Sequence, residues 1–184
     1  MQYKVVTPPS TYPISLSEAK LHLRVSSTEE ENRITALIKS ATDWVEAYLR
    51  RQLITSTWDL FLDDFSDVIY IEKSPVTTLS TIKYYDGSNV LQTLSSSYYN
   101  ADLDSEPSRV QEAYGYTWPT VYDRFNAVQI RFIAGYANAA SVPDTIKDGI
   151  YLLITHLFDN RGDEARRVPR VIYDVLEPYR LYKF

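Results

Sequence analysis

The spacing of hydrophobic residues changes twice along this chain, and that change limits the folds it can form. Between Thr28 and Gln52 apolar residues recur at intervals of three and four, which is typical of one face of a helix. From Leu53 the pattern becomes short runs of strand-favouring residues, and after Pro143 the helical interval returns. The sequence therefore predicts a strand-rich middle set between two helical segments.

Two helices are predicted in the first segment. Ser15 and Glu18 form a capping-box pattern that opens a short helix. The expected core face of this helix consists of Leu16, Ala19, Leu21 and Leu23. Thr28 and Glu31 form a second capping-box pattern, and the helix after it should end near residues 50–52, where cations suit the negative end of the helix dipole.

The middle segment is predicted to be a set of antiparallel strands. Strands are expected at residues 55–61, 68–71, 79–85, 90–94 and 128–132, with weaker candidates at 98–99 and 109–110. The Asp86-Gly87 dipeptide is a typical hairpin turn between two of them. The last strand should end at Gly135.

Two further helices are predicted after Pro143. The first has Ile146, Ile150, Leu153, Ile154, Leu157 and Phe158 on one face. Gly149 should weaken it slightly, and Gly162 suits its C-cap. The second starts at Pro169 with Val171, Ile172, Val175 and Leu176 expected to point inward. Together these elements predict an α+β fold, in which N- and C-terminal helices form a bundle with an inserted, mostly antiparallel β lobe. One domain over residues 1–184 is expected, divided at 1–52, 53–142 and 143–184.

Charge and composition limit the classes of partner. The net charge of −5 is concentrated in residues 53–142, which carry five Lys and Arg against eleven Asp and Glu. An acidic middle argues against wrapping of nucleic acid, although it permits DNA to pass nearby. The chain has no Cys, no signal-peptide pattern at its start and no apolar run of about 20 residues, so we expect a soluble protein made in the cytoplasm.

No pattern in the sequence predicts catalysis, a metal site or a cofactor site. Phosphate-binding and dinucleotide-binding glycine loops are absent, as is a nucleophile elbow. His22 and His156 sit in predicted helices among apolar neighbours and are interpreted as structural, with Asp159 a possible partner of His156. Two acidic clusters are interpreted as solvated turns. They are Asp63, Asp64 and Asp67, and Asp102, Asp104 and Glu106.

Aromatic and basic residues are the candidate contact residues. Nine of the sixteen tyrosines lie in residues 53–142, and the pairs 84–85 and 98–99 should each direct one ring away from the core. Such rings suit protein interfaces. A basic cluster contains Arg161, Arg166, Arg167 and Arg170, and the last six residues are aromatic and basic.

Read in order, several segments resemble the head–tail connector (adaptor, or head-completion) proteins of long-tailed bacteriophages and prophages. The matching segments are residues 13–25, 44–48, 53–58, 114–119, 132–136, 142–144 and the helix through His156 and Arg161. The resemblance implies a non-enzymatic virion protein in the neck of the particle. Copies would form a cyclic homo-oligomer, a dodecamer, under the portal protein, extend the DNA channel without sequence-specific binding, and dock the next neck or tail protein.

In related adaptors the C-terminal segment reaches towards the portal, so the resemblance also suggests partner-binding residues. These are Arg166, Arg167, Arg170, Tyr179, Arg180, Tyr182, Lys183 and Phe184. Three alternatives remain open at this point: another neck or tail-completion protein such as a tail-tube terminator, a carboxylate-dependent cell-wall hydrolase, and a protein that stacks single-stranded nucleic acid on exposed tyrosines.

Overall fold

A computed structural model describes residues 1–160, 162 and 167–182. Within these residues the chain forms four α-helices and eight β-strands. The helices are α1 (Leu16–Leu23), α2 (Glu31–Leu49), α3 (Asp144–Asp159) and α4 (Arg170–Leu176). The strands are β1 (Gln2–Thr7), β2 (Ser56–Leu62), β3 (Val68–Ile71), β4 (Val76–Tyr85), β5 (Leu91–Thr93), β6 (Tyr99–Asp102), β7 (Ser108–Glu112) and β8 (Val128–Ala134). These elements confirm the predicted α+β class, and no helix among them is long and apolar enough to cross a bilayer.

The chain divides into two compact units, each built from two separate stretches. Residues 1–9 and 55–135 form the β unit. Residues 10–54 and 136–184 form the helical unit. Helices from both ends of the chain therefore share one core, and the strands form another.

Two antiparallel sheets make up the β unit. The larger has the strand order β1-β2-β8-β4-β5, and the smaller has the order β3-β7-β6. Alternate residues of β8 are buried, which is the pattern predicted for it. The core of the unit includes Leu60, Ile82, Ile130 and Phe132. The hairpin predicted at Asp86-Gly87 is confirmed by the pairing of β4 with β5.

Strand β1 was not predicted from the sequence. It pairs antiparallel with β2 at the edge of the larger sheet. Only Tyr3 is partly buried, against Phe132, and its hydroxyl accepts a hydrogen bond from the Glu72 amide at 2.8 Å. Burial raises the pKa of Tyr3 to about 12. An edge strand that buries one residue leaves no alternating pattern in the sequence, which is why β1 was missed.

The start of the helical unit follows the prediction only in part. Ser15 caps α1, with its backbone N–H donating to Glu18 Oε2 at 2.8 Å. Leu21 was wrongly assigned to the core face, since it is 81% exposed. The second capping box is also wrong: α2 begins at Glu31, whose amide bonds the backbone carbonyl of Thr28, while its carboxylate pairs with Lys20.

Helices α3 and α4 pack closely at a glycine. A Cβ placed on Gly149 would lie 2.5 Å from Cδ2 of Leu176. Gly149 is therefore a packing residue rather than a mere weak point in α3. The predicted C-cap at Gly162 is wrong, because α3 ends at Asp159 with Asn160 as its cap. In α4 Ile172 and Leu176 are buried as expected, whereas Val171 is exposed and Val175 is half-buried.

Candidate docking surfaces

The C-terminal segment is folded onto the end of α2. The backbone N–H of Leu181 donates to the carbonyl of Leu49 at 3.0 Å, and Nε of Arg51 donates to the carbonyl of Tyr179 at 2.6 Å. Leu181 is buried by this contact. Carbonyl groups at the end of a helix lack partners within the helix. The segment therefore supplies a partner to the end of α2 and fixes its own path.

A polar and aromatic cluster holds the same segment, and we call it the C-terminal clasp: Tyr48, Glu177, Arg180 and Tyr182. The Glu177 carboxylate accepts hydrogen bonds from the hydroxyls of Tyr48 and Tyr182. The guanidinium of Arg180 lies 4.8 Å from the ring centroid of Tyr48 and 5.5 Å from that of Tyr182. Hydrogen bonding, from Tyr182 most strongly and then Tyr48, lowers the pKa of Glu177.

The clasp accounts for only part of the predicted partner-binding set. It contains Arg180 and Tyr182 and adjoins Tyr179. Arg167 and Arg170 lie ahead of it, at the start of α4, and are exposed. Arg166, Lys183 and Phe184 lie outside the described residues, as does Arg161. The role of the whole set in partner binding stays a prediction.

We call residues 167–171 the arginine stretch. Its two arginines and Val171 are exposed. Arg170 Nε lies 3.8 Å from Asp174 Oδ1, and both side chains are largely in solvent. Ion pairs of this kind contribute little free energy. The stretch therefore presents two arginines that are weakly held or free of ion pairs within the described residues.

One end of the β unit carries a second exposed surface, the aromatic end, formed by loops 63–67, 86–90 and 113–127. The strand register brings these loops together, because the last residue of β2 pairs with Val128 and Val128 also pairs with Tyr84. The rings exposed on or beside these loops belong to Tyr98, Tyr114, Tyr116, Tyr122 and Phe125. Tyr114 is fully exposed, and Phe125 is 83% exposed.

The longest loop of the aromatic end is braced against the β unit. The ring of Trp118 stacks on Phe65 at 4.6 Å, and its Nε1 donates to the Ser66 carbonyl at 3.0 Å. The Tyr122 amide donates to the Tyr85 carbonyl at 2.9 Å. A braced loop loses little conformational entropy when its exposed rings meet a partner.

A cleft of about 690 Å³ opens at the aromatic end. It is lined by Asp63, Asp64, Val121, Tyr122, Asp123, Arg124 and Phe125. Arg124 is engaged elsewhere, since its guanidinium lies 4.0 Å from the Tyr85 ring centroid and Nη1 donates to Asn89 at 3.2 Å. The cleft therefore combines aromatic rings with carboxylates.

The predicted outward tyrosines were found only in part. Tyr98 is exposed and Tyr99 is half-buried, which agrees with the prediction that one ring of the pair points away from the core. Tyr84 and Tyr85 are both half-buried. The largest exposures, at Tyr114 and Phe125, are in a loop, where period-two reasoning gives no information. The available signal was the density of aromatic residues between Gly115 and Phe125.

The histidines are held by polar and aromatic neighbours in the helical unit. His22 Nε2 lies 3.0 Å from Thr155 Oγ1, and its ring stacks on Tyr151 at 4.7 Å. His156 Nδ1 lies 3.2 Å from the side-chain nitrogen of Asn160, which replaces Asp159 as the partner. These contacts fit the structural interpretation.

Members of both acidic clusters accept hydrogen bonds from protein groups. Asp63 accepts a hydrogen bond from the Asn126 amide at 2.8 Å. Asp102 accepts from the Ser105 hydroxyl and from Arg109, and these bonds lower its pKa. Among the residues with described positions, no three His, Asp or Glu side chains are grouped to hold a metal ion.

A buried ion pair in the larger sheet was not predicted from the sequence. Asp59 on β2 is 4% exposed and accepts two hydrogen bonds from Arg131 on β8 and one from Gln129, at 2.7–2.8 Å. The bonds from Arg131 lower the pKa of Asp59. The two residues are brought together by the pairing of β2 with β8, and the sequence does not specify this pairing. The pair joins two neighbouring strands of the sheet that carries the aromatic end.

Comparisons with known proteins give a consistent assignment. The family described as "Phage gp6-like head-tail connector protein" matches residues 13–108, just over half of the chain. Two structures of gene transfer agent (GTA) particles have a similar fold over 100% of this chain and 97% of theirs. The neck of the empty particle computed with C6 symmetry matches at a TM-score of 0.84 and 21% identity. The neck of the native particle computed with C12 symmetry matches at 0.79 and 20%. No curated protein sequence matches the chain.

Proposed function

Because this chain belongs to the phage gp6-like head–tail connector family, we propose that it is a structural subunit of the virion neck. Copies form a ring under the portal, extend the DNA channel and dock the next neck or tail protein. The family match carries this proposal. The fold supports it, since the chain shares its architecture with chains of GTA particle necks over its full length.

The ring is proposed to hold twelve copies. The GTA necks were computed with C6 and C12 symmetry, and a ring of twelve satisfies both. A cyclic ring requires each subunit to carry two different surfaces that fit each other. The C-terminal clasp, the arginine stretch and the aromatic end provide chemically different exposed surfaces on one chain.

The channel role is supported by charge rather than by any binding site. The β unit carries six Lys and Arg against eleven Asp and Glu, whereas the helical unit carries thirteen of each. A neutral or acidic wall lets a polyanion slide without the counterion release that drives DNA binding. We therefore propose that DNA passes through the ring without sequence-specific contact. The protein acts as a channel wall and not as an enzyme.

Assembly on purified portal protein tests the proposal directly. The protein is mixed with portal rings, and the products are examined by mass photometry and negative-stain electron microscopy. We expect an added ring of density coaxial with the portal and a mass increase of about twelve subunits. A monomer in isolation agrees with the proposal, since the portal is expected to template the ring. Failure to bind portal and to form any ring would refute it.

A further inference from the structure

We infer that neighbouring subunits of the ring are joined by the aromatic end of one copy and the arginine stretch of the next. This inference rests on the proposed ring and specifies one of its contacts. Its partner is a second copy of this chain.

The first argument is charge complementarity. Among the ion pairs of the described residues, none involves Asp63, Asp64 or Asp123. These carboxylates line the cleft of the aromatic end and are exposed. The arginine stretch supplies the opposite charge, with Arg167 and Arg170 in solvent. Opposed charges at the rim of an interface speed association and fix its register.

The second argument is the mixed chemistry of both surfaces. Tyr122 and Phe125 present rings beside the carboxylates, and Val171 is an exposed aliphatic side chain beside Arg170. A guanidinium over an aromatic face is attractive. The described residues already contain such contacts, for example Arg33 over Phe158, Arg124 over Tyr85 and Arg180 over Tyr48. Arginines that reach the cleft therefore gain ring contacts as well as ion pairs.

The third argument is that the receiving surface is fixed in advance. Trp118 and Phe65 stack under the long loop, and Asp63 holds the Asn126 amide. Exposed aromatic anchors on a braced loop have the properties of interface hot spots. The donor stretch is also fixed, since Ile172 and Leu176 bury the other face of α4.

Two different surfaces that fit each other head to tail are what a closed ring requires. A self-matching surface would stop at a dimer. The aromatic end and the arginine stretch differ in charge and lie in separate units of the chain. The contact we infer is thus heterologous, and its repetition closes the ring.

Charge reversal with complementation is the test. One variant carries Asp63→Lys, Asp64→Lys and Asp123→Lys. The other carries Arg167→Glu and Arg170→Glu. A control carries Glu29→Lys, Asp43→Lys and Asp104→Lys, which changes the charge by the same amount as the first variant at exposed positions elsewhere. Circular dichroism and melting curves confirm that each variant folds, and assembly on portal rings is measured by mass photometry.

We expect each reversed variant alone to form rings about tenfold less readily than the wild type, and the control to behave like the wild type. An equimolar mixture of the two reversed variants should restore rings in which the two alternate, because Lys then meets Glu at one contact and Asp meets Arg at the next. The inference would be overturned if either reversed variant alone assembled as readily as the wild type. It would also be overturned if the mixture folded but failed to assemble. Neither result would count against the connector function. Failure of the wild type to assemble would instead count against the proposed function.

Disulfide trapping provides an independent measurement, since the chain has no cysteine. Phe125→Cys and Val171→Cys are combined in one chain and also made singly. In assembled rings under oxidation, the double variant should give a ladder of linked species above the dimer, and the single variants should not. Linked dimers only would indicate a self-matching contact. Either that result or an absence of links in the double variant overturns the inference.

Discussion

The guanidinium of Arg131 forms two hydrogen bonds with the carboxylate of Asp59, its direct neighbour across β2 and β8, and both distances are 2.8 Å. Asp59 is buried, whereas Arg131 reaches partly into solvent. Loss of a buried, charge-assisted hydrogen-bond partner costs about 1–3 kcal/mol. We expect Asp59→Ala to lower the free energy of unfolding by this amount in urea titrations. Asp104→Ala, at an exposed acid, is the control and should change it little.

Acid should weaken the same pair. The pKa of Asp59 is lower in the folded protein than its unfolded value of about 3.9. Its contribution to stability is therefore complete above the unfolded value and is lost as the pH falls through the lower folded value. The difference in unfolding free energy between wild type and Asp59→Asn, measured from pH 7 down to pH 2, should shrink below about pH 4. A constant difference over this range would contradict the assignment.

Gly149 permits close contact between α3 and α4. Gly149→Ala would ordinarily stabilise a helix by about 1 kcal/mol. Here the new Cβ would lie 2.5 Å from Leu176, so we expect a net loss of about 1–3 kcal/mol. Gly87→Ala introduces a Cβ with no atom within 4 Å and serves as the control. Adding Leu176→Ala to Gly149→Ala should show strong non-additivity in thermal unfolding, and simple additivity would argue against the clash.

Truncation of the C-terminus should separate stability from docking. Removing residues 179–184 removes the buried Leu181 and exposes the apolar surface that it covers. We expect this to lower the free energy of unfolding by about 2 kcal/mol, whereas loss of a tail with no role in the fold would leave it unchanged. Removing residues 183–184 leaves the C-terminal clasp in place, so the melting temperature should be kept. If the tail docks the portal, the shorter deletion weakens portal binding alone. Unchanged portal binding by both truncated proteins would refute the predicted role of the tail.

Trp118 is expected to fix the aromatic end locally. Trp118→Ala removes the stack on Phe65 and the hydrogen bond to Ser66. Hydrogen exchange of amides in residues 113–127 should become faster while the core of the larger sheet keeps its protection. Tyr114→Ala, at a fully exposed ring, is the control. Equal exchange in both variants would show that the loop is held by other contacts.

The parts of the fold that were predictable are those with a local repeat. Helix α2 and strand β8 bury residues at regular intervals, and their sequences carry those intervals. The second capping box failed because Glu31 pairs with Lys20 on the neighbouring helix, a tertiary contact that outweighs the local pattern.

The candidate surfaces were less predictable for the same reason. The sequence indicated the basic cluster and the aromatic tail, but not that Arg180 and Tyr182 are held by Glu177 and Tyr48. The aromatic end depends on strand register, which brings together loops far apart in the chain. A single sequence does not specify that register.

The division of each unit into two stretches has a consequence for synthesis of the chain. Residues 10–54 emerge from the ribosome long before residues 136–184, which complete the same core. The apolar faces of α1 and α2 therefore lack their partner helices while residues 55–135 are translated. Strand β1 likewise has no pairing partner until β2 emerges, more than forty residues later. The β unit is thus the first part of the chain able to finish folding, and the helical unit, with its arginine stretch, matures last.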